Sequence, residues 1–130
     1  MNTNLTGKVI LITGASGGIG SAMARAFARE GAKLVLHYHR NLAGARKLQR
    51  ELAAAEPLLV RADLTKESQV KNLFTLASRR FGRVDTLVAN AGSWEIRDVP
   101  LHRMSLKQWR GTQDGVLTSA FLCVREFFRL

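Results

Sequence analysis

Apolar and polar positions alternate along this chain in blocks that predict strands and helices in turn. Short apolar runs bounded by turn residues predict strands, and apolar residues at helical spacing predict helices. The predicted strands cover residues 9–12, 33–37, 58–60 and 84–89, and the predicted helices cover 18–30, 42–55, 65–81, 105–109 and 114–130. The rest of 93–111 is predicted to be irregular. Strands that alternate with helices indicate an α/β fold with a doubly wound parallel sheet, for which right-handed crossovers give the strand order 3-2-1-4.

Helical spacing also assigns an apolar face to the first and last helices. The face of the first helix contains Ile19, Met23, Ala26 and Phe27. The face of the last helix contains Leu117, Phe121, Val124 and Phe128. Thr65 is the expected N-cap of the third long helix. Trp94 and Trp109 are interpreted as packing residues of the core or of a loop.

A glycine-rich turn follows the first predicted strand. It carries Gly14, Gly17, Gly18 and Gly20, and a helix begins within it. Backbone N–H groups and the positive helix end can bind a dinucleotide pyrophosphate there, since glycine lets the anion come close. Ser16 can donate its hydroxyl to a phosphate, or form a local turn bond instead. An ordinary tight turn is the alternative interpretation of the whole cluster.

The end of the second predicted strand indicates which dinucleotide fits. Enzymes that use NAD usually place an acidic residue there, which binds the ribose 2′-hydroxyl. No Asp or Glu occurs between Gly31 and Arg50, and the strand ends in Tyr38, His39 and Arg40. A guanidinium pairs well with a 2′-phosphate, so the sequence favours NADP(H) over NAD(H). A solvated residue at a helix start is the alternative role of Arg40.

Four motifs occur in the order that the short-chain dehydrogenase/reductase family has them. They are Thr13-Gly14-x-x-x-Gly18-Ile19-Gly20, Asp63-Leu64-Thr65, Asn90-Ala91-Gly92, and Ser105-Leu106-Lys107-x-Trp109 with Leu117-Thr118-x-Ala120-Phe121. The chain therefore resembles the N-terminal part of a classical member of this family. His37-Tyr38-His39-Arg40 is similar to the corresponding segment of its pteridine reductases. Gly17 departs from the pattern, because NADP-preferring members often carry a basic residue there.

The resemblance implies hydride transfer between a nicotinamide and a carbonyl or alcohol carbon. It implies that Asp63 contacts the adenine amino group, although capping of the third long helix is an equal alternative for this carboxylate. It also implies that Asn90 braces the sheet beside the cofactor, whereas a plain turn would explain Gly92 as well. The predicted cofactor-binding residues are Gly14, Ser16, Gly18, Ile19, Gly20, His39, Arg40, Asp63, Leu64, Asn90, Ala91 and Gly92.

The catalytic residues that the family uses are not recognisable in these 130 residues. The family needs a Tyr, a Lys four residues later and a Ser, but Tyr38 is the one tyrosine and Leu42 stands four residues after it. Val116 occupies the position of the family's helical Asn. We therefore expect residues 1–130 to form an NAD(P)-binding Rossmann domain that is incomplete at its C-terminus and does not catalyse alone. A non-catalytic nucleotide-binding or regulatory protein is the main alternative.

Composition adds limits on partners and location. The net charge of +10 raises the alternative of a nucleic-acid-associated protein, but the 20 Lys and Arg residues are spread out and do not alternate with aromatics. No histidine has partners at a metal-ligand spacing, and Cys123 is expected to be a small core residue. The polar N-terminus and the short apolar runs predict a cytoplasmic protein without a membrane span. The expected open edge of the fourth strand would suit a second copy or a full-length relative.

Overall fold

Strands and helices alternate throughout the chain, as a computed structural model of residues 2–130 describes it. The strands are β1 (Val9–Ile12), β2 (Lys33–Tyr38), β3 (Leu58–Arg61) and β4 (Thr86–Val88). The α-helices are α1 (Gly18–Arg29), α2 (Leu42–Glu51), α3 (Glu67–Phe81), α4 (Leu106–Gln113) and α5 (Ser119–Arg129). All four strands form one parallel sheet in the order β3-β2-β1-β4, which confirms the predicted fold class and topology.

Helices cover both faces of the sheet, and this explains why β1 is apolar at every position. Successive side chains of a strand point to opposite faces. Val9 and Leu11 therefore pack with α3 and with the inner side of α5, while Ile10 and Ile12 pack with α1 and α2. Cys123 belongs to the first of these clusters, as predicted, and burial raises the pKa of its thiol to about 11.

The buried face of α1 differs from the predicted one. Ile19 is 72% exposed and Ala26 is also exposed, whereas Gly20 and Ala24 are buried against the sheet. The glycine turn brings α1 so close to β1 that small residues must face the strand. Apolar spacing alone assigned Ile19 and Ala26 to the buried face and was wrong at these two positions.

The start of α3 was also predicted incorrectly. The helix begins at Glu67 with Lys66 as its N-cap, and the side chain of Lys66 makes no capping bond. Thr65 instead directs its hydroxyl to Asp63, with an Oγ1–Oδ1 distance of 2.7 Å. The competing hydrogen bond within the turn therefore removes Thr65 from the capping position.

Two further helices end or begin at other residues than expected. The helix predicted over 42–55 ends at Glu51 and is followed by a separate 3₁₀ turn at 53–55. The short helix predicted over 105–109 begins at Leu106, where Ser105 and Gln108 form a reciprocal capping box, and it continues to Gln113 through residues 110 and 111, which were predicted to be irregular. A π-helical turn over 114–118 joins α4 to α5 without a break, because its backbone continues the helical conformation.

Several large apolar side chains remain at the surface. Trp94 and Trp109 are exposed, so the interpretation of both as packing residues was wrong for the core. The apolar face predicted for the last helix is exposed too; this outer face consists of Leu117 in the π-helical turn and of Phe121, Val124 and Phe128 in α5. Among residues 2–130, β4 pairs with β1 alone, which leaves its other edge open as expected. Each helix within residues 2–130 is too short or too polar to span a membrane.

The two sides of α5 should differ in their contribution to stability. Leu122→Ala removes a side chain buried against α3 and should lower the free energy of unfolding by about 2–4 kcal/mol. Phe128→Ala removes an exposed ring and should change it by less than about 0.5 kcal/mol. Urea unfolding of both variants measures the difference. Equal losses would show that the outer face is buried in solution.

Candidate functional site

A set of hydrogen bonds around Thr13 joins the carboxyl ends of β1 and β4. The Thr13 backbone N–H donates to the carbonyl of Val88 at 3.0 Å. Its Oγ1 accepts from the backbone N–H groups of Asn90 and Ala91, each at 3.0 Å. Thr13 is itself buried. This bonding role was not predicted from the sequence, in which the one signal for it was a hydroxyl residue directly after a buried strand.

Two glycines of the turn are required by close backbone contacts. A Cβ atom on Gly20 would lie 2.2 Å from the carbonyl oxygen of Gly14, and one on Gly14 would lie 2.9 Å from Cα of Ala91. Gly14 also has a φ of +63°, which side chains disfavour. Asn90 closes the cluster, because its Nδ2 donates to the carbonyls of Thr13 at 3.0 Å and Gly14 at 3.2 Å.

At Gly18, by contrast, no close contact within the described residues requires a glycine. A Cβ atom placed on it would meet nothing within 4 Å. It begins α1, whose N-cap Gly17 offers no side-chain acceptor. The backbone N–H groups of Gly18, Ile19 and Gly20 find no acceptor among residues 2–130. The free N–H groups, the helix dipole and the open space together form a place for an anion.

The hydroxyl of Ser16 lies beside this helix end. Its Oγ makes no hydrogen bond with the described residues, so the local turn bond considered from the sequence is not formed. The Ser16 carbonyl accepts a long bond of 3.5 Å from Nδ2 of Asn41. Asn41 also caps α2 by accepting from the Gly44 N–H at 3.0 Å. The glycine turn and the start of α2 are thus held side by side.

His37 connects three strand ends beneath the site. Its Nδ1 accepts from the Gly14 N–H at 3.0 Å, and its Nε2 lies 2.9 Å from the carbonyl of Ala62. Since the Gly14 N–H can only donate, Nδ1 must be the acceptor and Nε2 must carry the proton, which fixes one neutral tautomer. Burial lowers the pKa of His37 below its usual value, more than the bond to Ala62 raises it, and the charge of His39 lowers it further. This ring is a structural group, with no part in metal binding.

The end of β2 is basic, as the sequence predicted. His39 is half-buried and Arg40 is exposed, and no carboxylate within 4.0 Å pairs with either in the described chain. The carbonyl of Arg40 accepts from the Leu42 N–H at 3.0 Å, which fixes the turn into α2. Arg61, at the end of β3, reaches the same loop through its Nε, 3.1 Å from the carbonyl of His39. Arg61 was not among the site residues predicted from the sequence.

Asp63 and Leu64 follow β3 closely in the chain, so they lie at the carboxyl ends of the strands, as His39 and Arg40 do. Partial burial raises the pKa of Asp63, but hydrogen bonds from the hydroxyl and N–H of Thr65 outweigh it, and the charges of His39 and Lys66 lower the pKa further. The carboxylate is thus ionised and engaged by Thr65 rather than capping α3. The side chain of Leu64 lies in the core, so any ligand contact of this residue must use its backbone.

The π-helical turn lies against the loop that follows β4. A Cβ atom on Gly92 would be 3.8 Å from Cγ2 of Val116, and one on Gly115 would be 2.1 Å from Oγ of Ser93. Val116 therefore gives this side of the site an apolar wall that cannot hydrogen-bond. Among residues 2–130, no three His, Cys, Asp or Glu side chains come together where they could hold a metal ion.

Comparison with known proteins agrees with this geometry. The family model for short chain dehydrogenase matches residues 8–130. The chain is 38% identical over 130 residues to a 3-oxoacyl-[acyl-carrier-protein] reductase of Synechocystis sp., a match that covers 98% of this chain and 52% of that protein. It is 40% identical over 123 residues to a 3beta-hydroxysteroid dehydrogenase 1 of Eggerthella lenta, with 93% and 46% covered.

A solved structure is similar over the same region. The 3-ketoacyl-(acyl-carrier-protein) reductase of Brucella melitensis, complexed with NADH, superposes with a TM-score of 0.88 at 35% identity, over 96% of this chain and 50% of that one. The chain thus spans about half the length of the curated relatives it matches.

The two glycines that bracket the turn should respond differently to a methyl group. Gly20→Ala forces a side chain into the backbone of Gly14 and should lower the free energy of unfolding by at least about 3 kcal/mol. Gly18→Ala has open space and should leave stability unchanged or raise it by about 0.5 kcal/mol. Thermal or urea unfolding distinguishes them. A stable Gly20→Ala variant would contradict the close approach of α1 to β1.

Burial of neutral His37 should make the protein less stable as the solution becomes acidic. The unfolded chain takes up a proton near pH 6.5 while folded His37 stays neutral, so the free energy of unfolding should fall as pH falls below that value. The carboxylates with lowered pKa, such as Asp63, weaken the fold only at lower pH. Urea unfolding at pH 7.5, 6.5 and 5.5 measures this change.

The matching variants identify the group responsible. His37→Gln should be destabilised at every pH and should lose the decline between pH 7.5 and 5.5. The control His102→Ala, at an exposed histidine, should keep the decline of the unchanged protein. A decline that persists in His37→Gln would assign it to another group.

Proposed function

Because the chain belongs to the short-chain dehydrogenase family, we propose that it forms the dinucleotide-binding part of an oxidoreductase that prefers NADP(H) to NAD(H). The observation that carries this proposal is the start of α1. Gly18 is open where a side chain would fit, and the adjacent N–H groups have no partner among residues 2–130. A pyrophosphate satisfies these donors and explains a glycine that packing does not require.

The remaining cofactor contacts follow the carboxyl edge of the sheet, where open α/β sheets bind ligands. The hydroxyl of Ser16 is free to donate to a phosphate, and exposed Ile19 would be covered by the bound dinucleotide. The Asp63 carboxylate keeps acceptor capacity for the adenine amino group, and the backbone of Leu64 lies beside it. Ala91 and Gly92 would line the nicotinamide side, and the Thr13 hydroxyl holds the start of this loop by accepting from the N–H groups of Asn90 and Ala91.

The preference for NADP(H) is argued from charge. A 2′-phosphate at the end of β2 would meet His39 and Arg40 and no acidic residue between positions 31 and 50. The ribose hydroxyls of NAD would find no carboxylate between these positions to accept their hydrogen bonds. Arg40 is exposed and unpaired in the described chain, so it can turn to the phosphate without breaking an ion pair.

When bound, the nicotinamide supplies or accepts a hydride, and a carbonyl or alcohol carbon is its partner. Residues 2–130 contain no tyrosine with a lysine four residues later to move the accompanying proton, since Tyr38 lies at the end of β2 and has Leu42 at that spacing. Val116 presents carbon atoms towards Gly92. We therefore infer that the 130-residue chain binds the cofactor without turnover by itself.

Cofactor binding can be separated from cofactor choice by two substitutions. Gly18→Ala should weaken NADP+ and NAD+ alike by about tenfold or more, because the methyl group occupies the space of the phosphates. Arg40→Gln should weaken NADP+ by about tenfold to a hundredfold and NAD+ by less than about twofold, because a charge-assisted bond is lost. Isothermal titration calorimetry of the 130-residue chain measures both.

Two matched variants serve as controls. Gly111→Ala also adds a methyl group where nothing lies within 4 Å, in α4, and Arg29→Gln removes a charge at the end of α1, on the opposite edge of the sheet. Both should bind as the unchanged chain does. Equal affinity of the unchanged chain for NADP+ and NAD+ would refute the preference, and a lack of binding to either would refute the site.

A further inference from the structure

Arg61 stands level with the last residue of β2. The parallel register pairs it with Tyr38, so the loop that contains His39 and Arg40 follows directly beside it. Side chains alternate along β3, and Val60 belongs to the cluster beneath α3 while Leu59 packs on the side of α1 and α2. Arg61 therefore projects on the side of α1 and α2, where the glycine turn also lies.

One edge of the Arg61 guanidinium is already in use. Its Nε donates to the carbonyl of His39 at 3.1 Å. The terminal nitrogens Nη1 and Nη2 form no hydrogen bond or ion pair with residues 2–130. Oδ1 of Asp63, the carboxylate nearest in sequence, accepts from Thr65, and no ion pair joins Asp63 to Arg61 within residues 2–130. The side chain is thus anchored at one end and has a free pair of donors at the other.

Resting on the proposed function, we propose that Arg61 is a second specificity-determining residue, which binds the 2′-phosphate of the cofactor together with Arg40. A guanidinium can hold a carbonyl with one N–H and still present two parallel donors to a phosphate, which a lysine cannot do. The bond to His39 limits how far the group can move, so less conformational entropy is lost on binding. The last residue of β3 and the loop after β2 thereby supply one guanidinium each to the same phosphate.

The test uses two fragments that differ only in the 2′-phosphate, 2′,5′-ADP and 5′-ADP. Calorimetry with the 130-residue chain should show that Arg61→Gln binds 2′,5′-ADP at least about tenfold more weakly and 5′-ADP less than about twofold more weakly. The affinity of Arg61→Lys for 2′,5′-ADP should lie between those of the unchanged chain and of Arg61→Gln, because lysine keeps the charge but lacks the two parallel N–H donors of a guanidinium. Arg29→Gln, with the same change of net charge at the opposite edge, should bind both fragments as the unchanged chain does.

The outcomes separate this inference from the proposed function. If the unchanged chain binds both fragments equally, the preference for a 2′-phosphate is wrong and the role of Arg61 fails with it. If the unchanged chain discriminates and Arg61→Gln discriminates equally well, only the role of Arg61 is wrong. Equal weakening of both fragments would mean that Arg61 merely supports the loop, which also overturns the inference.

Discussion

The contact between the backbone of α1 and the end of β1 is the constraint on which the rest of the site depends. Gly20 can approach the carbonyl of Gly14 only because it has no side chain. This approach brings the helix N-terminus directly over the strand end, so that its unpaired N–H groups face the space in front of the sheet. It also decides which face of α1 is buried, and small residues such as Ala24 must lie there.

Polar groups around this contact are almost all engaged in holding neighbouring strand ends. Thr13 and Asn90 join β1 to β4, while His37 joins β1 and β2 to the end of β3. A buried polar group is costly unless it is paired, so each bond restricts the alternatives for its neighbours. The consequence is a hydrogen-bonded layer, above which the N–H groups at the start of α1, the hydroxyl of Ser16 and the basic residues at the ends of β2 and β3 keep unused bonding capacity.

The charge distribution follows the same division. Most carboxylates in the described chain are held by nearby donors, as in the pairs Glu95–Arg97 and Glu67–Arg125. Hydrogen bonds from Arg97 and Gln108 lower the pKa of Glu95 to about 2, which keeps it ionised and bound in its loop. The guanidinium groups of Arg40 and Arg61, at the ends of β2 and β3, have no such partner. Part of the excess positive charge of the chain is therefore unpaired at the carboxyl ends of these strands.

The amino-acid order alone predicted the succession of strands and helices, the glycine turn and the basic end of β2, because local patterns of apolar, glycine and charged residues encode them. It could not assign Thr65, whose hydroxyl had two competing partners, nor the exposure of Ile19, which depends on how closely α1 approaches β1. Only the tertiary structure brought Arg61 to the loop of Arg40, 21 residues earlier in the chain. Strand pairing sets such neighbours, and a parallel register between distant segments leaves no local trace in the sequence.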